Sequence, residues 1–191
     1  MLVHEPTLAD LFGHYQLMKR DAVAEPDEDN DIPMLLYVGE GPLAENVPCE
    51  VLCIVVSGGR DDMCQCLAAV MAQHFIPHWA AICSDGFVAK HADVPPEYLR
   101  AGGLIEMAAG KLPGVRECLT ITAADHDGHV YANSRTYWFD TDGDIWFDDD
   151  DGPGDKMSGP MIDVLTDVTS LWGKSKIEVL QTIMERGPFM N

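Results

Sequence analysis

Two Asp-Gly dipeptides, Asp127-Gly128 and Asp142-Gly143, constrain the fold of this chain more than any other feature. Glycine supplies the positive backbone φ that a tight hairpin turn needs, and aspartate tolerates its neighbourhood. Each dipeptide stands between segments of strand character. Residues 117–123 alternate, with Leu119, Ile121 and Ala123 on one side and Thr120 and Thr122 on the other. That is the period of a half-buried strand. Residues 130–139 return after the first turn, and Ile145-Trp146-Phe147 follow the second. Residues 117–148 are therefore expected to fold back twice, as a three-strand antiparallel meander.

The rest of the chain supplies helices and further strands. Leu8, Leu11, Phe12, Tyr15 and Met18 recur at helical spacing over 7–19, with Thr7 as the expected cap. Residues 34–38 form a short strand stopped by Gly39. The run Val51–Val56 is apolar and β-branched throughout, as expected of a strand covered on both faces. Asp61 and Asp62 open a helix expected to reach Phe75 and to stop before Pro77, with Met63, Leu67, Val70 and Met71 on its apolar side. Residues 79–82 are a further strand, Ser84-Asp85-Gly86 a turn, and 87–89 a segment pairing back. A helix is expected at 97–109, weakened by Gly102-Gly103. The tail at 159–186 carries one or two helices broken near Gly173, with a stripe of Ile177, Leu180, Ile183 and Met184. This mixed order predicts one α+β domain over residues 1–191, its helices packed against a mostly antiparallel sheet.

Charge narrows the partners. Twelve Lys and Arg oppose 32 Asp and Glu among 191 residues, a net charge of −20. Nucleic-acid phosphates and anionic membranes are repelled by such a chain, because both are bound through cations. Basic protein partners or divalent cations are its natural complement. No apolar run approaches the roughly 20 residues of a membrane span. The opening twenty residues include His4, Glu5, Asp10 and His14, which is not the pattern of a signal peptide. The six cysteines, Cys49, Cys53, Cys64, Cys66, Cys83 and Cys118, sit mostly in apolar runs as small hydrophobes, which places the chain in a reducing cytoplasm.

Four constellations carry candidate chemistry. Asp140, Asp142 and Asp144, with Asp151 beyond, resemble the opening of a calcium-binding EF-hand loop. They are the candidate metal ligands, for a divalent cation, and no other cofactor is expected. Ile145 stands where that loop needs glycine, and the flanks read as strands, so the acidic hairpin tip in water is the favoured meaning. Cys64 and Cys66 with His74 and His78 offer thiolate and imidazole, but residues two apart on a helix point about 200° apart. Asp125-His126-Asp127-Gly128-His129 places two imidazoles and two carboxylates on one turn, for metal binding or proton transfer. Ser57-Gly58-Gly59-Arg60 joins a strand to a helix as an anion cradle would, with Asp61 and Asp62 opposing an anion. No Gly-x-Ser-x-Gly nucleophile motif occurs.

These features point to a non-enzymatic acidic accessory or binding protein, of the kind phage and accessory genomes carry, acting through protein–protein contacts with a basic partner. Tyr131, Tyr137, Trp138, Phe139, Trp146 and Phe147 crowd both faces of the meander, so one face is expected to serve as a contact surface. The alternatives are a metal-dependent hydrolase using aspartates or histidines of the meander turns, and a structural subunit of a larger assembly or homo-oligomer.

Overall fold

The computed structural model describes residues 5–24, 32–41, 50–57, 59–88, 116–148 and 160–186. The meander is present as expected. Strands β4 (Arg116–Asp125), β5 (Val130–Phe139) and β6 (Ile145–Phe147) run antiparallel, with Ala124 opposite Val130 and Trp138 opposite Trp146. Three earlier strands, β1 (Met34–Gly39), β2 (Val51–Val56) and β3 (Trp79–Val88), complete a six-stranded sheet of order β2-β1-β3-β4-β5-β6. Every neighbouring pair is antiparallel. Among the described residues, four helices pack on this sheet: α1 (Glu5–Ala24), α2 (Gly59–Gln73), α3 (Pro160–Thr169) and α4 (Lys176–Arg186). The α+β architecture expected from the order of elements is thus the one found. The helix expected at 97–109 lies outside the described residues.

The pleat sends successive side chains to opposite faces, and the core divides accordingly. Leu35, Tyr37, Trp79, Leu119 and Ile121 meet Leu8, Phe12 and Tyr15 of α1. Leu36, Val38 and Ile82 meet Met63 and Leu67 of α2, Val164 and Leu165 of α3, and Val179 of α4. Each such side chain contributes about 1.5–3 kcal/mol when fully buried, so both helix layers are held by the sheet. No described helix is long and apolar enough to cross a membrane.

Several elements differ from expectation, each for a physical reason. Ser84-Asp85-Gly86 is not a turn. It lies inside β3, opposite Thr120, Leu119 and Cys118, because the ladder with β4 runs unbroken to Val88. Strand β2 is not covered on both faces. It is an edge strand, and Val51, Cys53 and Val55 face outward and exposed while Ile54 and Val56 join the core. Helix α1 starts at Glu5 and continues to Ala24, so Thr7 lies within it. The tail breaks near Gly173 as expected, at a positive φ of 81°. Helix α4 then opens on a reciprocal capping pair, in which Ser175 N–H and hydroxyl donate to Glu178 and the Glu178 N–H donates to Ser175 Oγ.

Candidate functional site

The two Asp-Gly turns are built alike, and Asp125 and Asp140 are what hold them. At the first turn, Asp125 Oδ1 accepts the N–H groups of Asp127 and His129, both at 3.0 Å. At the second, Asp140 Oδ1 accepts those of Asp142 and Asp144, again at 3.0 Å. Gly128 and Gly143 take positive φ values of 81° and 87° and donate back to the carbonyls of Asp125 and Asp140. The pattern Asp-x-Asp-Gly is thus a three-residue hairpin loop with glycine at its left-handed position, its leading aspartate satisfying two backbone donors.

This geometry bears on the aspartates singled out from the sequence. Asp140 Oδ2 also accepts the indole N–H of Trp146 at 2.8 Å, as Asp125 Oδ2 meets His129 Nδ1 at 3.2 Å. Asp142 and Asp144 are exposed. Asp151 lies outside the described residues. Among the described residues, the carboxylate and imidazole groups that converge are instead Asp125, His126 and Asp127, whose ligand atoms lie within 4.8 Å of one another.

The other constellations scatter. Cys64 is in the core, Cys66 is half-buried, His74 is exposed and His78 is buried elsewhere, against His126. Ser57 turns its hydroxyl onto Asp62 at 3.3 Å.

Sequence reasoning missed a buried polar group between α1 and the sheet. Lys19 Nζ donates to Asp85 Oδ2 at 2.6 Å, and the Tyr137 hydroxyl donates to Asp85 Oδ1 at 2.9 Å. The Tyr15 hydroxyl donates to the Pro33 carbonyl and receives the Asp85 backbone N–H. In the β1–β3 register, Leu35 faces Cys83, so continuing the ladder by two residues would set Pro33 opposite Asp85. Tyr15 stands between them and ends the ladder. Burial and the Asp85 carboxylate hold the Tyr137 phenol far above its usual value, so it stays a donor. A cavity of about 510 Å³ opens beside this group, but Lys19, Asp85 and Tyr137 satisfy one another and tie α1 to the sheet. The available signal was Lys19 one helical turn after Tyr15, a lysine on the apolar stripe of α1.

Among the described residues, the outer face of the last hairpin lies beyond the cover of the helices. Trp138 and Trp146 stand directly opposite each other, 47 % and 54 % exposed. Alternation places them on the face opposite Tyr137, the side of α2, α3 and α4. Among the described residues those helices pack over β2, β3 and β4, and no residue of β5 or β6 joins their core. A cleft of about 620 Å³ runs alongside, lined by Arg116, Glu117, Tyr137, Trp138, Phe139 and Asp148, with Arg116 paired to Asp148 at 3.1 Å.

Comparison with protein-family models, with curated proteins and with solved structures finds no match to this chain.

Proposed function

We propose that this is a non-enzymatic binding protein whose contact surface is the β5–β6 hairpin and whose partner presents an arginine-rich segment. The observation that supports it is the cross-strand pair Trp138 and Trp146, about half exposed on an edge hairpin. Tryptophan is strongly enriched among the residues that dominate protein interfaces. Its ring is also the best aromatic partner for a guanidinium. Asp142 and Asp144 stand exposed on the turn beside the pair, and the whole chain carries −20. Such a field speeds the approach of a cationic partner and rejects anionic ones.

The test uses a nona-arginine peptide as probe, titrated calorimetrically at physiological salt. A cation–π contact contributes about 0.5–2 kcal/mol, so removing both indoles corresponds to a loss of about tenfold. Binding is expected to saturate, to weaken about tenfold in the W138A/W146A double variant, and to be weaker for a nona-lysine peptide. The double variant keeps the net charge unchanged. Equal affinity for wild type and double variant would mean diffuse attraction to an acidic surface, and the reading would fail. Light scattering at rising protein concentration addresses the structural-subunit alternative: a dimer dispersed by W138A would replace the external partner with a second copy.

A further inference from the structure

The turn at Asp125 carries a cluster that a turn of this kind does not require. The Asp140 turn has the same backbone hydrogen bonds and the same left-handed glycine, with Thr141 and Asp142 where the first has His126 and Asp127. Turn formation therefore does not account for what surrounds His126. Its Nε2 lies 3.5 Å from Asp127 Oδ1. Its ring packs against His78 with centroids 4.0 Å apart. His78 is only 6 % exposed, and its Nδ1 has no hydrogen-bond partner, nor has that of His126. Buried polar atoms in folded proteins are as a rule paired, so two imidazole nitrogens without partners mark this turn as unlike its counterpart. Asp125 is fully buried, its Oδ2 facing His129 Nδ1 at 3.2 Å and its carbonyl accepting the Thr169 hydroxyl at 2.9 Å. The turn is thereby fixed to the end of α3.

We propose that Asp125, His126 and Asp127 bind a divalent transition-metal cation of the zinc class. Imidazole and carboxylate ligands suit such ions, with metal–ligand distances of about 2.0–2.2 Å. Those distances put ligand atoms up to about 4 Å apart, and the three groups already lie within 4.8 Å of one another. Asp127 is the exposed member, and a small shift of the three groups toward one another closes the set. His129 on Asp125 and His78 on His126 are the outer groups that hold ligands in place, as outer-shell partners do at metal sites. This site and the Trp138–Trp146 surface lie at opposite ends of β5, so each stands or falls alone.

Trp172 makes the proposal readable. Its ring centroid is 4.9 Å from that of His78 and 6.3 Å from that of His126, whereas Trp146 is held by Asp140 at the other turn. Untagged protein with ¹⁵N-labelled tryptophan is titrated with Co²⁺, whose unpaired electrons broaden nearby indole signals, and in parallel with Zn²⁺ by calorimetry. The expected result is one Zn²⁺ per chain, with the Trp172 signal lost first under Co²⁺. In D127N and in H126N the Co²⁺ needed to broaden Trp172 should rise about tenfold or more. D127N alters an exposed side chain and keeps its size, so it reports even if H126N folds poorly. The proposal is overturned by absence of Zn²⁺ binding, by Trp146 broadening ahead of Trp172, by unchanged broadening of Trp172 in D127N, or by a cobalt–thiolate absorption band.

Discussion

The indole N–H of Trp146 donates to Asp140 Oδ2 at 2.8 Å, so the carboxylate that caps the second turn also fixes the orientation of an exposed ring. That hydrogen bond, followed by the backbone donors of Asp144, Asp142 and Gly143, holds the Asp140 carboxyl below its usual 3.8. The folded chain therefore binds this proton less readily than the unfolded chain. The resulting stability is complete above the unfolded value of about 3.9 and is lost as pH falls through the lower folded value. Urea midpoints measured from neutral pH into acid should fall less steeply for D140N than for wild type below about pH 4. At neutral pH, D140N should be the less stable of the two. Parallel curves would show that the carboxylate does not hold the hairpin.

Lys19 and Asp85 form the other charge relationship on which the fold depends, with side chains 4 % and 16 % exposed. Removing one member of a buried pair strands the other, at a cost of about 3–5 kcal/mol. D85A should therefore lower the unfolding free energy by about 3 kcal/mol. A K19M/D85A double variant should recover part of that loss. Denaturant unfolding of the two variants checks both statements.

Gly39 is required by its neighbour. A Cβ there would fall on the indole ring of Trp79, which is buried and donates to the Gly41 carbonyl at 3.0 Å. Trp79 is packed in the core, so G39A should cost about 3 kcal/mol, at the upper end of overpacking effects. A melting temperature within 2 °C of wild type, the shift expected from about 0.5–1 kcal/mol, would contradict the close approach.

The described cysteines differ in reactivity because they differ in burial. Desolvation pushes the Cys83 thiol up to about 12 and the Cys118 thiol up to about 11, and both are buried while Cys53 is exposed. Thiolate is the nucleophile, so the buried pair is inert. Iodoacetamide at mildly alkaline pH should label Cys53 in native protein and should label Cys83 and Cys118 only after unfolding. Peptide mass mapping reads the difference.

The meander was legible because its signals are local: a two-residue alternation and glycine at each bend. The tail helices were legible for the same reason, and the Ser-x-x-Glu spacing of Ser175 and Glu178 is a local signal of the same kind. Asp85 shows the limit. Ser84-Asp85-Gly86 has turn composition, yet a long ladder with β4 outweighs it, and the charge is satisfied by Lys19 and Tyr137, which are 66 and 52 residues distant. The outward face of β2 was missed because a run of apolar residues looks the same on an edge as at a centre. The close spacing of Asp140, Asp142 and Asp144 was legible, but capping a turn and gripping an ion both call for closely spaced carboxylates, so the spacing alone does not separate the two. The meeting of His78 with His126 depends on strand order, which no local pattern encodes.

The contact surface on β5–β6 is tested most directly by the indole N–H signals of the four tryptophans in ¹⁵N-labelled protein, recorded while nona-arginine is added. Trp79 is buried and Trp172 lies beside His78, away from the hairpin, so both serve as internal references. The expected result is that Trp138 and Trp146 shift together and saturate while the other two stay in place. Shifts led by Trp172, or uniform small shifts of all exposed indoles, would contradict a dedicated surface on this hairpin.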